Sequence, residues 1–194
     1  MRRRVLLLTL LSALVVSLST HERARAASDN TDVESRPRNA PSPTVVANLR
    51  YAARRGDMQA QYDLAVVLDC GLGLRRDQAE ALEWFHKAAD QGHVGAQSAL
   101  GWKYMTGNGV PIDDNAAFEW LRRAAERGNT SAQNNLGILY MQGRGVAADP
   151  IEAAKWFRRA AEKGAVDAQR NLEALRAGRS RDVRPTTEPR LPPT

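Results

Sequence analysis

The chain has 194 residues, 43% of them apolar, with 28 Lys+Arg against 22 Asp+Glu and a formal charge of +6. A lone cysteine, Cys70, can form no intramolecular disulfide and supplies no multi-cysteine zinc or iron–sulfur site, and three histidines are thin material for a His-based metal centre. The long apolar run is confined to the N-terminus, which excludes a multi-span membrane protein.

In chain order, residues 1–26 read as an export signal. Met1 to Arg4 is a basic n-region, Val5 to Leu18 an apolar stretch of 14 residues, and Ala24-Arg25-Ala26 an A-x-A cleavage site. As a helix that stretch spans only about 21 Å, short of the ~30 Å hydrocarbon core. A periplasmic or secreted protein is therefore expected, with an inner-membrane anchor through an uncleaved signal as the alternative. Cleavage removes five Arg and one Glu and leaves a formal charge of +2. Arg176 to Thr194, with five Arg against Asp182 and Glu188, carries +3, so what precedes that tail is about −1. The high pI thus belongs to the ends, and nucleic-acid binding loses its support. Residues 27–44 are polar, with three prolines, and predict a disordered linker.

The middle of the chain repeats. Gly56, Gly92, Gly128 and Gly164 recur every 36 residues, as do the pairs Ala60-Gln61, Ala96-Gln97, Ala132-Gln133 and Ala168-Gln169. Gly71/Gly73, Gly107/Gly109 and Gly143/Gly145 follow the same period, as do Asp77, Asp113, Asp149 and Trp84, Trp120, Trp156. Each unit predicts two helices. Helix A starts near Met58 and stops at the Gly-x-Gly turn, where positive φ is inexpensive. Helix B starts after the N-cap Asp77 and ends at Gly92. Asp77/Glu80 and Asp149/Glu152 have capping-box spacing, and Pro150 sits at the first helical position.

The expected organisation is a capping helix at 45–56, full units at 57–92, 93–128 and 129–164, and a capping helix at 165–177. Together they make an all-α, right-handed α-solenoid over 45–177, in which no unit folds alone. Residues 178–194 form a Pro/Arg-rich tail with too little apolar surface to offset ordering entropy, and a disordered segment is expected there.

The run Ala132-Gln133-Asn134-Asn135-Leu136-Gly137-Ile138-Leu139-Tyr140, with Gly143-Arg144-Gly145-Val146, Asp149, Ala153-Ala154-Lys155-Trp156 and Ala160-Ala161-Glu162-Lys163-Gly164, resembles the Sel1-like repeat of the tetratricopeptide-related solenoids. The first unit departs from the pattern, with Ala65 for the usual Gly and Leu68 for Tyr. The resemblance implies an adaptor or scaffold whose concave surface binds other proteins. Exported bacterial relatives act as sensor-kinase regulators, assembly factors and virulence-related interactors. Some exported relatives with a disulfide in every repeat bind or hydrolyse β-lactams, so a β-lactam- or peptidoglycan-directed cell-wall protein is the alternative. This chain lacks those cysteines.

Catalytic patterns are missing: no Ser lies three residues before Lys87, Lys103, Lys155 or Lys163, and no G-x-S-x-G, H-E-x-x-H or P-loop sequence occurs. The chain reads as a non-enzyme, with no cofactor, no metal and a protein or peptide as partner. In this superfamily helix A lines the concave face. Spacing then aims Tyr62, Val66 and Asp69, followed by Ser98, Trp102 and Met105, at the groove. Asn134, Ile138 and Met141 follow in the third unit, and Arg170 in the cap. Trp102 stands where neighbouring units carry Val66 and Ile138, an apolar anchor of the kind that dominates peptide interfaces. The amides of Asn134, Asn135 and Asn171 have the chemistry to hydrogen-bond a partner's backbone.

Overall fold

The computed structural model describes residues 41–178 and 184–186. The expected export signal lies outside these residues, as does the polar segment up to residue 40. The helical unit begins at Ser42. Among the described residues there are eight helices and no strand: α1 (Pro43–Arg54), α2 (Met58–Cys70), α3 (Gln78–Asp90), α4 (Val94–Thr106), α5 (Asp114–Glu126), α6 (Thr130–Gln142), α7 (Pro150–Glu162) and α8 (Val166–Arg176). None is long and apolar enough to cross a membrane.

Local chemistry sets the helix ends. Asp77, Asp113 and Asp149 cap α3, α5 and α7 by accepting from first-turn amides, with Pro150 opening α7. The helix-A column is capped by Asp57, His93 and Asn129, each accepting from the backbone N–H three residues on. Ala165, at the head of α8, offers no such side chain. Gly71, Gly107 and Gly143 close α2, α4 and α6 in the left-handed region, at φ 70°, 78° and 68°. α1 starts earlier than the spacing implied, because the Ser42 hydroxyl accepts from Val45 N–H and Pro43 fills the first turn.

Consecutive helices pack against one another, and α4 also touches α6 directly, so A helices of successive units meet. Leu64, Phe85 and Leu100 centre one core cluster, and Leu121, Leu136 and Phe157 centre the next. The repeated glutamine joins units: Gln61, Gln97 and Gln133 donate to the carbonyls of Ala53, Ala89 and Ala125, giving partners to C-terminal carbonyls of the preceding B helix. Gly137 lets α6 and α7 close up, since a Cβ there would lie 2.7 Å from Phe157 Cε1. Where the first unit has Ala65 instead, that residue is still fully buried. The repeated tryptophans lie on the B helices, where Lys87, Arg123 and Arg159 sit over the rings of Trp84, Trp120 and Trp156.

Candidate partner-binding face

The face lined by α2, α4, α6 and α8 carries the residues that spacing aimed at a groove, and the structure divides them. Tyr62, Val66, Trp102 and Met141 are partly exposed and Arg170 is exposed. Asn134, at 0% exposure, donates to the Thr186 hydroxyl of the tail, whereas Ser98, Met105 and Ile138, at 2%, 4% and 0%, do not line an open groove. The physical reason is that an inner A helix is flanked by A helices on both sides and by its own B helix behind. Ile138 and Met105 belong to the apolar packing, and Ser98 Oγ donates to the Asn129 carboxamide at the head of α6. Asp69 is also withdrawn, 2.8 Å from Lys103 Nζ, with side-chain exposures of 9% and 3%.

Tyr62 lies flat against His93, ring centroids 4.2 Å apart, and edge-on to Phe85. Burial, reinforced by the Asp63 charge, pushes its phenol above the ordinary value. His93 Nδ1 accepts from Ala96 N–H while Nε2 faces Gln59 Oε1 at 3.1 Å, an arrangement that suits a neutral ring. Burial lowers its pKa, the Arg127 charge adds to that, and Asp63 opposes it.

The strongest polar constellation sits at the far end of this face. Asn171 Nδ2 donates to the Arg184 carbonyl at 2.8 Å, and Arg184 N–H donates back to Asn171 Oδ1 at 2.9 Å. Thr186 N–H donates to Asn135 Oδ1 at 3.0 Å, and Asn134 Nδ2 donates to the Thr186 hydroxyl at 2.8 Å. Asn171 Nδ2 also reaches Asn134 Oδ1 at 2.9 Å, which ties the three amides into one network. All three side chains are buried, at 0%, 2% and 3% exposure for Asn134, Asn135 and Asn171.

Residues 184–186, within the tail for which a disordered segment is expected, therefore have a definite seat. Apolar area does not hold them there. Four hydrogen bonds do, three of them to main-chain groups. Composition cannot register that kind of docking, although the asparagines themselves were visible in the sequence. A cavity of about 170 Å³ adjoins the seat, lined by Asp167, Arg170, Asn171 and Arg184. A larger hollow, about 530 Å³, lies by the first Gly-x-Gly turn. Two of its cations are engaged, Arg76 with the Asp69 carbonyl and Arg50 with Glu80.

The Sel1 repeat family matches at residues 59–93, 94–129 and 130–164. A solved Sel1 repeat protein from Oxalobacter formigenes is 38% identical with a TM-score of 0.61, covering 66% of this chain and 96% of that one. The solved c5321, a protective antigen of uropathogenic Escherichia coli with an SLR fold, is 38% identical with a TM-score of 0.64, covering 69% of this chain and 29% of that one. Among curated proteins, HRD3A of Arabidopsis thaliana, an ERAD-associated E3 ubiquitin-protein ligase component, is 47% identical over 45 residues. That match spans 23% of this chain and 7% of the plant protein.

Proposed function

This chain belongs to the Sel1 repeat family, whose members generally mediate protein–protein interaction, and on that premise we propose that it is a non-catalytic adaptor of the bacterial cell envelope. It holds an extended segment of a partner protein on the A-helix face and regulates or assembles that partner. The observation that carries the reading is the asparagine network of α6 and α8, which grips main-chain N–H and C=O groups of an extended segment. A rigid helical array orders little on binding, so a short segment can reach micromolar affinity, on the order of −8 kcal/mol. The partly exposed Trp102, on α4, supplies an apolar anchor on the same face.

Placement in the envelope rests on the basic and apolar N-terminal sequence, and N-terminal sequencing of the exported protein tests it. A chain starting at Ala27 supports export with cleavage, and a chain retaining Arg2 to Leu18 in the cytoplasm refutes it. The binding face is tested with a photo-crosslinking residue placed at Trp102 or Arg170, against the same residue at Arg122 or Lys155 on the B helices. Capture of one common partner from the first pair and not from the second is expected. Capture only from the B helices overturns the reading.

A further inference from the structure

The three residues Arg184-Pro185-Thr186 do on this face what the proposed function asks of a partner, and the chemistry of the contact says what such a partner must be. Asn135 and Asn171 occupy the same place in successive repeat units, 36 residues apart. Their Oδ1 atoms accept from the N–H groups of Thr186 and Arg184, which are two residues apart on the tail. That is the period at which an extended strand turns the same edge to one side. Pro185, between them, has no N–H to offer and is exposed, so a proline at the intervening position costs the contact nothing. Asn134 adds one side-chain preference by donating to the hydroxyl of Thr186.

We infer that Asn134, Asn135 and Asn171 form a subsite for an extended x-Pro-Thr/Ser segment, and that the chain's own residues 184–186 occupy it in cis and must be displaced before a partner binds. The inference rests on the adaptor reading above and gives it both a ligand chemistry and a gate. The subsite reads main chain plus one hydroxyl. The gate works because the competing segment is tethered to α8 by a short connection: a short tether holds its end at an effective concentration of roughly 1 mM. Against a free segment with a Kd of about 0.1 mM, that occupancy weakens apparent binding about tenfold. The buried carboxamides favour an occupied site in either case, because an unpaired amide has no water to turn to when covered.

The test uses the full chain and a fluorescent peptide of its own residues 182–188, read by fluorescence anisotropy. Arg184→Pro/Thr186→Pro in the protein removes both tail N–H donors without touching the subsite. This released variant should bind the peptide at least tenfold more tightly than the wild type. In the released background, Asn171→Ala should abolish binding, with circular dichroism melts showing that the array remains folded. Should that variant not fold, N-methylation of the peptide at Arg184 and at Thr186 asks the same question with the protein intact, and either methyl group should abolish binding. Equal affinity of wild type and released variant overturns the gate. Binding that survives Asn171→Ala or N-methylation overturns the subsite, and no binding by the released variant overturns both. The adaptor reading fails separately: if the peptide arms succeed while crosslinking from Trp102 and Arg170 captures nothing, the subsite serves the tail alone.

Discussion

Lys103→Leu is expected to be the most damaging simple substitution in the array, and its repair is written in the next repeat. Asp69 of α2 and Lys103 of α4 meet at 2.8 Å with side chains 9% and 3% exposed, and the Lys103 ammonium lies 5.7 Å from the Phe85 ring centroid. At the 2.8 Å of the ion pair an effective dielectric near 20 gives an attraction of about 6 kcal/mol, against a desolvation penalty of several kcal/mol for each ion. The pair is close to break-even while intact. Removing one member strands the other, which costs about 3–5 kcal/mol. One repeat on, the equivalent positions hold Met105 and Leu139, 4% and 0% exposed and in one apolar cluster. Asp69→Met/Lys103→Leu copies that pair and should fall within about 1 kcal/mol of wild type or exceed it. Urea denaturation followed by circular dichroism on the two single variants and the double variant measures the coupling. A single variant losing less than about 1 kcal/mol, or a double variant losing the sum of the singles, refutes the reasoning.

Three further outcomes follow from local geometry. Gly137→Ala places a Cβ 2.7 Å from Phe157 Cε1 and 3.2 Å from the Ala153 carbonyl. Overpacking of about 1–3 kcal/mol then outweighs the helix propensity gained, about 1 kcal/mol, and urea midpoints should fall accordingly. His93 has a native pKa below its ordinary value of 6.5, so the unfolded chain takes up the proton first. Its stabilising contribution is complete above about pH 6.5 and is lost as pH falls through the lowered native value, because the protonated ring cannot cap Ala96 N–H. His93→Asn, which copies the Asn129 cap, should remove that part of the acid sensitivity, and equal slopes of stability against pH for variant and wild type would contradict it. Trp102→Ala should weaken partner binding by roughly 2 kcal/mol in a titration while the helical melt is unchanged.

What was legible in the sequence is what is local. Asp77, Asp113 and Asp149 announce N-caps, and the glycine columns announce helix ends, because each acts within a turn of its own position. The repeat period then supplies the tertiary contacts at no extra inference, since one interface predicts the next. The groove was harder to read. An A helix has neighbours on both flanks, so a position between framework residues is not thereby free, and Ile138 and Met105 went into the packing. His93 escaped notice as a cap because the residue before a helix is seldom histidine, while its register with Asp57 and Asn129 carried the signal. The Asp69–Lys103 pair departs from the repeat, and a departure is what periodicity cannot forecast. The seat of residues 184–186 depends on main-chain groups, which every residue except proline offers alike, so side-chain composition says nothing of it.

The asparagine subsite has a length limit built into its geometry, and that limit can be measured. An extended strand presents the same edge every two residues, about 6.6–6.8 Å, whereas adjacent packed helices stand about 8–10 Å apart. Two acceptors can share one strand across that mismatch, as Asn135 and Asn171 do with Thr186 and Arg184. A third would be displaced by several ångströms, beyond hydrogen-bond reach. The sequence is consistent with that limit: the equivalent positions in the earlier units are Ala99 and Asp63, not asparagine. Ala99→Asn in the released-tail protein should therefore leave the anisotropy Kd for a longer peptide, residues 182–190, within about twofold, since no bond worth roughly 1 kcal/mol is added. A fivefold or greater tightening would mean that the A helices stand closer to strand spacing than packed helices generally do, and that this face reads a longer segment than the tail displays.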